Sequence, residues 1–211
     1  MVRKDRWAIM AGLLWALGRR RGVYHASAGG RRTGEGAATA LAVGSGPMTH
    51  PSERLVERLG IRFPVIQGGM TFGSDARLVA AVSAAGGLGT LGSFHYRTAA
   101  RVLEEVAAIR ARTNRPFAVN VPFFADNEDL VEALAREGGV RVFALGGWFG
   151  ERVAALKEEL GLTVLVSVNS PTVARTIEGR PYDVLIVQGN ESGGANNRFT
   201  TQQLFDLLAP E

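Results

Sequence analysis

Four stretches of the chain place polar or glycine residues at the end of an apolar run, which is the pattern of a ligand-binding loop. QGGM at Gln67–Met70 ends one run, and its two glycines would let a flat ring approach the backbone closely. Asn120 lies inside another run, FAVNVP, where a buried amide needs hydrogen-bond partners that a ligand could supply. An asparagine whose partners all belong to the protein would explain Asn120 equally well.

The stretch QGNESGG begins at Gln188, after the last apolar run, and precedes a helical pattern that starts near Thr200. A glycine-rich loop at the carboxyl end of a parallel strand is a common ligand-binding position. Gly193 and Gly194 would also serve a tight turn in a flexible crossover without any ligand. Together with Gly146-Gly147 after the fourth run, these positions at four strand ends favour the rim of one pocket.

Cysteine is absent from the chain, which excludes disulfides, zinc–thiolate sites and thiol nucleophiles, and no metal site is predicted. A cytoplasmic location is expected. Three histidines are present, and His25 and His50 precede the region that looks folded. His95, just past the second apolar run, is the weak candidate for a catalytic group on the rim. A loop histidine is more commonly a solvated surface residue.

The elements that would position these residues alternate regularly from Arg62 onward. Segments whose apolar residues recur at spacings of three and four separate the apolar runs, and each makes one apolar stripe per helix. Alternating strands and helices imply parallel pairing, and strand starts about 20 to 29 residues apart suit a barrel or a doubly wound sheet equally. The predicted strands are Pro64–Gln67, Leu88–Leu91, Phe117–Val121, Arg141–Leu145, Thr163–Val168 and Asp183–Val187.

Start and stop signals support the same division. Ser74-Asp75 and Ser170-Pro171 are typical of helix N-termini. Gly86, Gly138 and Gly161 are predicted to end helices where a left-handed residue is needed.

The segment GLGTLG at Gly87–Gly92 matches the dinucleotide-binding pattern G-x-G-x-x-G. That pattern needs a strand before it and a helix opening within it, so that the helix N-terminus faces pyrophosphate. Here a predicted helix over Asp75–Ala85 precedes the glycines, which are expected to end that helix and begin a strand. The position of these glycines after a helix therefore argues against a nicotinamide-binding domain of that type.

Residues 1–47 differ in kind from the remainder. They hold eight basic and two acidic residues, hence +6, so the rest of a chain of net charge +4 carries −2. A mildly acidic body without a basic stripe argues against nucleic-acid binding. The apolar run Trp7–Gly18 is shorter than the roughly 20 residues that cross a bilayer. This leader is expected to be disordered or non-native, without a strand that continues the fold. A signal peptide, a transit segment and an upstream read-through before Met48 remain open.

The combination of PVIQGGM, AAGGLGTLG, IRARTNRPFAVNVPF and VLIVQGNESGG resembles the nitronate monooxygenases, formerly 2-nitropropane dioxygenases, and the related flavin-dependent enoyl-acyl-carrier-protein reductases. The resemblance implies an α/β protein with a TIM (β/α)8 barrel that binds FMN, with about six of its eight units in residues 48–211. It implies that Gly68, Gly69 and Met70 line the isoalloxazine, with Asn120 and Gln188 as further cofactor contacts.

Two departures from the family pattern bear on function. Family members usually carry a histidine directly after the double glycine of the last loop, and this chain has Ala195, which can neither donate nor accept a proton. The chain also ends after the sixth unit, where the resemblance implies two more units with the loops for the cofactor phosphate. Weak FMN retention and self-association through open barrel edges are therefore expected.

The resemblance implies oxidation of alkyl nitronates with oxygen, by an FMN-dependent oxidoreductase without nucleic-acid or membrane partners. A nitronate is already an anion, so its oxidation needs no base and tolerates Ala195. Two alternatives stay open: enoyl reduction with NAD(P)H, and a non-catalytic fragment that needs a complementary chain.

Overall fold

The computed structural model describes residues 7–10, 51–96, 98–122, 127–147, 149–194 and 197–208. Within these ranges, strands and helices alternate from α2 onward. The strands are β1 Trp7–Met10, β2 Gly89–Gly92, β3 Phe117–Val121, β4 Val142–Gly146, β5 Thr163–Val168 and β6 Val184–Val187. The helices are α1 Pro51–Leu59, α2 Ala76–Ala85, α3 Ala99–Arg110, α4 Asn127–Arg136, α5 Glu151–Leu160, α6 Pro171–Thr176 and α7 Thr201–Leu208. No helix among the described residues is long and apolar enough to cross a membrane.

The sheet is parallel, and β2 to β6 follow one another in chain order. Crossover helices pack on one face of the sheet, where Val79, Val106, Leu134 and Val153 are buried against outward strand residues such as Val119. A doubly wound sheet would reverse its strand order and carry helices on both faces. The singly wound order with one helical layer is that of the TIM barrel, of which this chain supplies part.

The opposite face of the sheet forms a second, smaller core. Leu55 and Leu59 of α1 are buried there against inward strand residues, including Leu88, Ala118 and Leu165. In a barrel this face is the interior, which side chains fill in layers. Helix α1 thus packs on the interior residues and separates them from solvent.

The sequence-predicted boundaries agree closely with the structure for β3 and β5 and differ at the first strand. Pro64–Gln67 forms only an isolated bridge, Ile66 to Leu88, although Gln67 N–H donates to Leu88 O at 2.9 Å and Leu88 N–H to Val65 O at 2.9 Å. Proline has no N–H to donate, which shortens the ladder on that side. The first strand is therefore a shorter pairing than the sequence predicted.

One of the three predicted helix-ending glycines needs correction. Gly86 and Gly161 adopt left-handed conformations at the ends of α2 and α5, with φ of 104° and 63°. After α4 the left-handed residue is Gly139, with φ of 62°, and not Gly138. Gly138 is required for space, since a Cβ atom there would lie 2.9 Å from the carbonyl oxygen of Leu134.

Strand β1 was not expected. Residues Trp7–Met10 pair in parallel with β6, from Trp7 beside Val184 to Met10 beside Val187. An edge strand presents unpaired N–H and C=O groups, and an added strand satisfies them. The edge of β6 expected to be open is thus covered along these four residues. The rest of the leader and its proposed processing signals lie outside the described residues, and the domain boundary near residue 48 stays a prediction.

Candidate cofactor-binding site

The carboxyl ends of the parallel strands meet at one edge of the sheet, here called the rim. It comprises the loop Gly68–Ser74, the ends of β2 and β3 at Gly92 and Asn120, and the loop Gln188–Gly194. In barrels this edge carries the active site. The structure therefore places the predicted site residues at the edge that the sequence analysis expected.

Gly69 and Asn120 are in close contact across the rim. A Cβ atom built on Gly69 would lie 2.5 Å from Cβ of Asn120, closer than real Cβ atoms approach. The side-chain Nδ2 of Asn120 donates to the carbonyl oxygen of Ala144 at 3.0 Å, so the protein itself partners this amide nitrogen. Asn120 thereby ties β3 to β4 and supports the first loop at Gly69.

Gly68 differs from Gly69 in its surroundings. Both glycines are exposed, but a Cβ atom on Gly68 would meet nothing within 4 Å. The backbone of Gly68 therefore offers an open face on the rim that a flat ring could approach. The two adjacent glycines thus have different roles, one packed against the protein and one open to a ligand.

The loop after Gly69 is fixed on the end of β2. Met70 N–H donates to the hydroxyl of Ser74, and that hydroxyl donates to the carbonyl oxygen of Met70 at 3.0 Å. A Cβ atom on Gly92 would lie 2.4 Å from the same carbonyl oxygen. The turn leaves the side chains of Met70 and Phe72 47% and 84% exposed, so both are available to contact a bound molecule.

Replacing Gly92 with alanine is expected to lower the free energy of unfolding by about 1–3 kcal/mol, the usual cost of overpacking. The clash is with the backbone of Met70, which no side-chain rotation relieves. Urea denaturation would measure the change. Gly193→Ala is the matched control, because a Cβ there meets nothing within 4 Å. Equal stability of the Gly92 and Gly193 variants would contradict the close packing of the loop.

Two buried side-chain atoms in the described chain lack a hydrogen-bond partner. One lies in β2 and the other in the turn that follows it. They are Oγ1 of Thr90 and Nδ1 of His95. The backbone of Thr90 is satisfied by Gln67, whose Oε1 accepts from Thr90 N–H at 3.1 Å and whose Nε2 donates to Thr90 O at 3.3 Å. Buried polar atoms are almost always partnered by protein or ordered water, so these two are the unsatisfied positions nearest the rim in the described chain.

His95 is half-buried in an aromatic setting. Its ring centroid lies 3.9 Å from that of Tyr96 and 5.1 Å from that of Phe72. Burial, followed by the charge of Glu105, raises the pKa of Tyr96, which keeps its hydroxyl protonated. His95 is therefore not the freely solvated loop residue that the sequence analysis favoured. It lies beside Phe72 of the first loop.

The loop after β6 is held by its own hydrogen bonds. Gln188 Nε2 donates to the carbonyl oxygen of Gly193 at 3.0 Å, and Gly194 turns the chain with φ of 81°. The carboxylate of Glu191 accepts from the N–H and hydroxyl of Thr201 at the start of α7. Hydrogen bonds from the backbone of Glu191 itself and of Thr201 hold the pKa of Glu191 below its usual value. The loop is thus ordered, while Ala195 lies outside the described residues.

Sequence reasoning gave no individual role to Gln67 or Thr90. Gln67 ends the apolar run of VIQGG, and Thr90 is a polar residue within the run of GLGTLG, which was the available signal. Thr90 was not singled out because threonine is common in strands. Its missing partner is visible only once the neighbouring strands are in place.

Comparisons with known proteins identify similar sequences. The family model described as nitronate monooxygenase matches residues 52–141. A (3aS,4S,5R,7aS)-5-hydroxy-7a-methyl-1-oxo-octahydro-1H-indene-4-carboxyl-CoA dehydrogenase of Mycobacterium tuberculosis is 39% identical over 155 residues, covering 71% of this chain and 42% of the relative. A probable nitronate monooxygenase of Staphylococcus saprophyticus is 25% identical over 195 residues, covering 74% of this chain and 55% of the relative.

Solved structures with a similar fold are also found. FabK from Thermotoga maritima superposes with a TM-score of 0.65 at 33% identity, covering 74% of this chain and 50% of FabK. Nitroalkane oxidase from Streptomyces ansochromogenes gives 0.60 at 28% identity, covering 67% and 50%. The chain spans about half the length of the relatives it matches.

Proposed function

Because residues 52–141 place this chain in the nitronate monooxygenase family, we propose that it is part of a flavin-dependent oxidoreductase whose flavin ring lies on the rim. The observation that carries this proposal is the open backbone of Gly68 on the rim, where a Cβ atom would meet nothing within 4 Å, so that a flat ring has room. The unpartnered Oγ1 of Thr90 lies in β2, and the unpartnered Nδ1 of His95 lies in the turn that follows. These residues fit a flavin, and FMN is the form that we propose.

The flavin would supply the redox chemistry, and the chain would position it and the substrate. Gly68 and Gly69 would face the ring from the backbone, with Asn120 holding Gly69 in place. The hydroxyl of Thr90 would donate to or accept from a polar ring atom. The exposed side chains of Met70 and Phe72 would exclude water from the substrate.

Alkyl nitronates, oxidised with oxygen, are the substrates that we propose. The chain has Ala195 where the family pattern implies a histidine, so proton removal from a neutral nitroalkane lacks its usual base. A nitronate is already deprotonated and requires none. The similarity to an octahydro-indene-carboxyl-CoA dehydrogenase, whose name specifies a coenzyme A thioester, supports a second candidate, a reaction on an acyl thioester such as enoyl reduction with NAD(P)H.

Anaerobic mixing separates these candidates. The chain loaded with FMN is expected to lose its oxidised-flavin absorbance with propyl 2-nitronate at least about tenfold faster than with neutral 2-nitropropane, since a positioned base is worth about 10²–10⁴-fold. Equal rates with both would contradict the proposed dependence on the anion. Faster bleaching by NADPH than by the nitronate would favour enoyl reduction, in which the nicotinamide supplies the hydride.

The variant Thr90→Val tests the placement of the ring by titration with FMN. Valine keeps the shape of threonine and removes the hydroxyl that lacks a partner. Weaker FMN binding with equal or higher protein stability is the result that fits a ring-contacting hydroxyl, and unchanged FMN binding would contradict that contact.

A further inference from the structure

Four exposed arginines gather at the end of the sheet opposite the rim. Arg110 ends α3, Arg112 and Arg115 lie in the loop that leads to β3, and Arg141 immediately precedes β4. Two open depressions of the surface, called cavities below, adjoin them. One of about 430 Å³ is bounded by Arg110, Arg112 and Arg115, and a smaller one of about 160 Å³ by Arg110, Arg115 and Arg141.

Backbone carbonyl groups hold three of these side chains in place. Arg110 donates from Nε to Gly138 O at 3.3 Å and from Nη2 to Gly139 O at 2.8 Å, and its guanidinium lies 5.5 Å from the ring centroid of Phe117. Arg112 Nη1 donates to Ala108 O at 2.7 Å, and Arg141 Nη1 to Ala135 O at 2.8 Å. A neutral carbonyl orients a guanidinium without cancelling its charge, so the cluster is positioned and remains cationic.

Other arginines of the chain pair with carboxylates, unlike those of the cluster. Arg136 pairs with Glu132 and Glu159, and Arg152 pairs with Asp129 and Glu132. Within the described ranges, no carboxylate lies at ion-pair distance from Arg110, Arg112, Arg115 or Arg141. The remaining residues around the larger cavity are Ala84, Ala111, Thr113 and Asn114, which carry no charge.

We propose that this arginine cluster binds the diphosphate group of a small ligand. The planar guanidinium fork matches phosphate oxygens with two parallel hydrogen bonds, and arginine is the preferred residue for that recognition. The two cavities share Arg110 and Arg115, so adjacent phosphoryl groups could each occupy one. The position at the strand N-termini separates this site from the flavin site on the rim.

Calorimetric titration of the intact chain with inorganic pyrophosphate at low salt tests the proposal. Saturable binding with one site per chain is expected, and R112Q/R115Q should weaken it by at least about tenfold, since each charge-assisted hydrogen bond contributes measurably. The matched control is R77Q/R101Q, which removes the same charge from exposed arginines paired with Asp75 and Glu104. Its affinity should stay within about twofold of the original chain. Thermal unfolding of both variants establishes that they are folded.

Equal weakening by the two double variants would overturn the proposal, because it would reveal attraction to net charge alone. Absence of saturable binding by the original chain would overturn it as well. A parallel titration with adenosine diphosphate identifies the source of the group. Equal affinity indicates that the diphosphate alone is recognised, and tighter binding of the nucleotide indicates that a nucleoside diphosphate is the ligand.

Discussion

Replacing Asp183 with alanine is expected to lower the free energy of unfolding by about 3–5 kcal/mol, the cost of leaving a buried charge unpaired. The side chain of Asp183 is 3% exposed at the start of β6. Its carboxylate accepts from Lys157 Nζ at 3.1 Å, from Val164 N–H at 2.7 Å and from the guanidinium of Arg58. These contacts join α1, α5, β5 and β6, so the loss affects several elements at once.

The side chain of Lys157 is 14% exposed, and it would lose its only carboxylate partner among the described residues. Its remaining hydrogen bond, to the carbonyl oxygen of Leu162, carries no compensating charge. Chemical denaturation of Asp183→Ala measures the effect. Glu104→Ala is the control, because the Arg101–Glu104 pair is 62% and 59% exposed and such surface pairs contribute at most about 1 kcal/mol. A loss below that size in Asp183→Ala would contradict the structural role assigned to the carboxylate.

The sequence predicted Phe117–Val121 and Thr163–Val168 with the bounds that the structure gives them. Both runs are rich in β-branched residues and largely buried, and the apolar run alone marks their ends. The first strand depended on pairing with β2, which the sequence does not encode locally. Strand β1 depended on the edge of β6 far along the chain, and no local pattern in WAIM distinguishes a strand from a short apolar helix.

The candidate site was predictable where composition was unusual for a buried strand. Gly68, Gly69 and Asn120 stood out in their apolar runs, and the structure brings Gly69 and Asn120 into contact. The sequence could not show that the Asn120 amide nitrogen is satisfied by Ala144 while Thr90 Oγ1 is not. Hydrogen-bond satisfaction depends on which strand lies alongside and at what register. The assignment of each site residue to the flavin stays a prediction.

Replacing Gly68 with valine is expected to weaken flavin binding by at least about a hundredfold while leaving the free chain stable. The backbone of Gly68 is exposed and a Cβ there meets no protein atom within 4 Å, so the new side chain disturbs only a molecule that approaches this backbone. Gly68 is not one of the glycines with a left-handed backbone, so valine at this position does not cause the strain that a left-handed conformation imposes on a side chain.

Two control variants accompany this substitution. Gly69→Ala would push on Asn120 and is expected to lower stability together with flavin binding. Gly193→Ala, at an open position in the loop after β6, is expected to change stability by less than about 0.5 kcal/mol. A variant that loses both stability and flavin binding reports damage to the rim. A variant that loses flavin binding alone reports obstruction of the flavin ring.

The proposed function depends on a flavin ring that lies against the backbone of Gly68 on the rim. Titration of FMN into the chain and into Gly68→Val, followed by quenching of flavin fluorescence, tests this placement. Binding by the original chain and its loss in Gly68→Val, with the thermal midpoint of the free protein unchanged, is the predicted result. Equal quenching by both proteins, or none by the original chain, would contradict the placement of the flavin at this position.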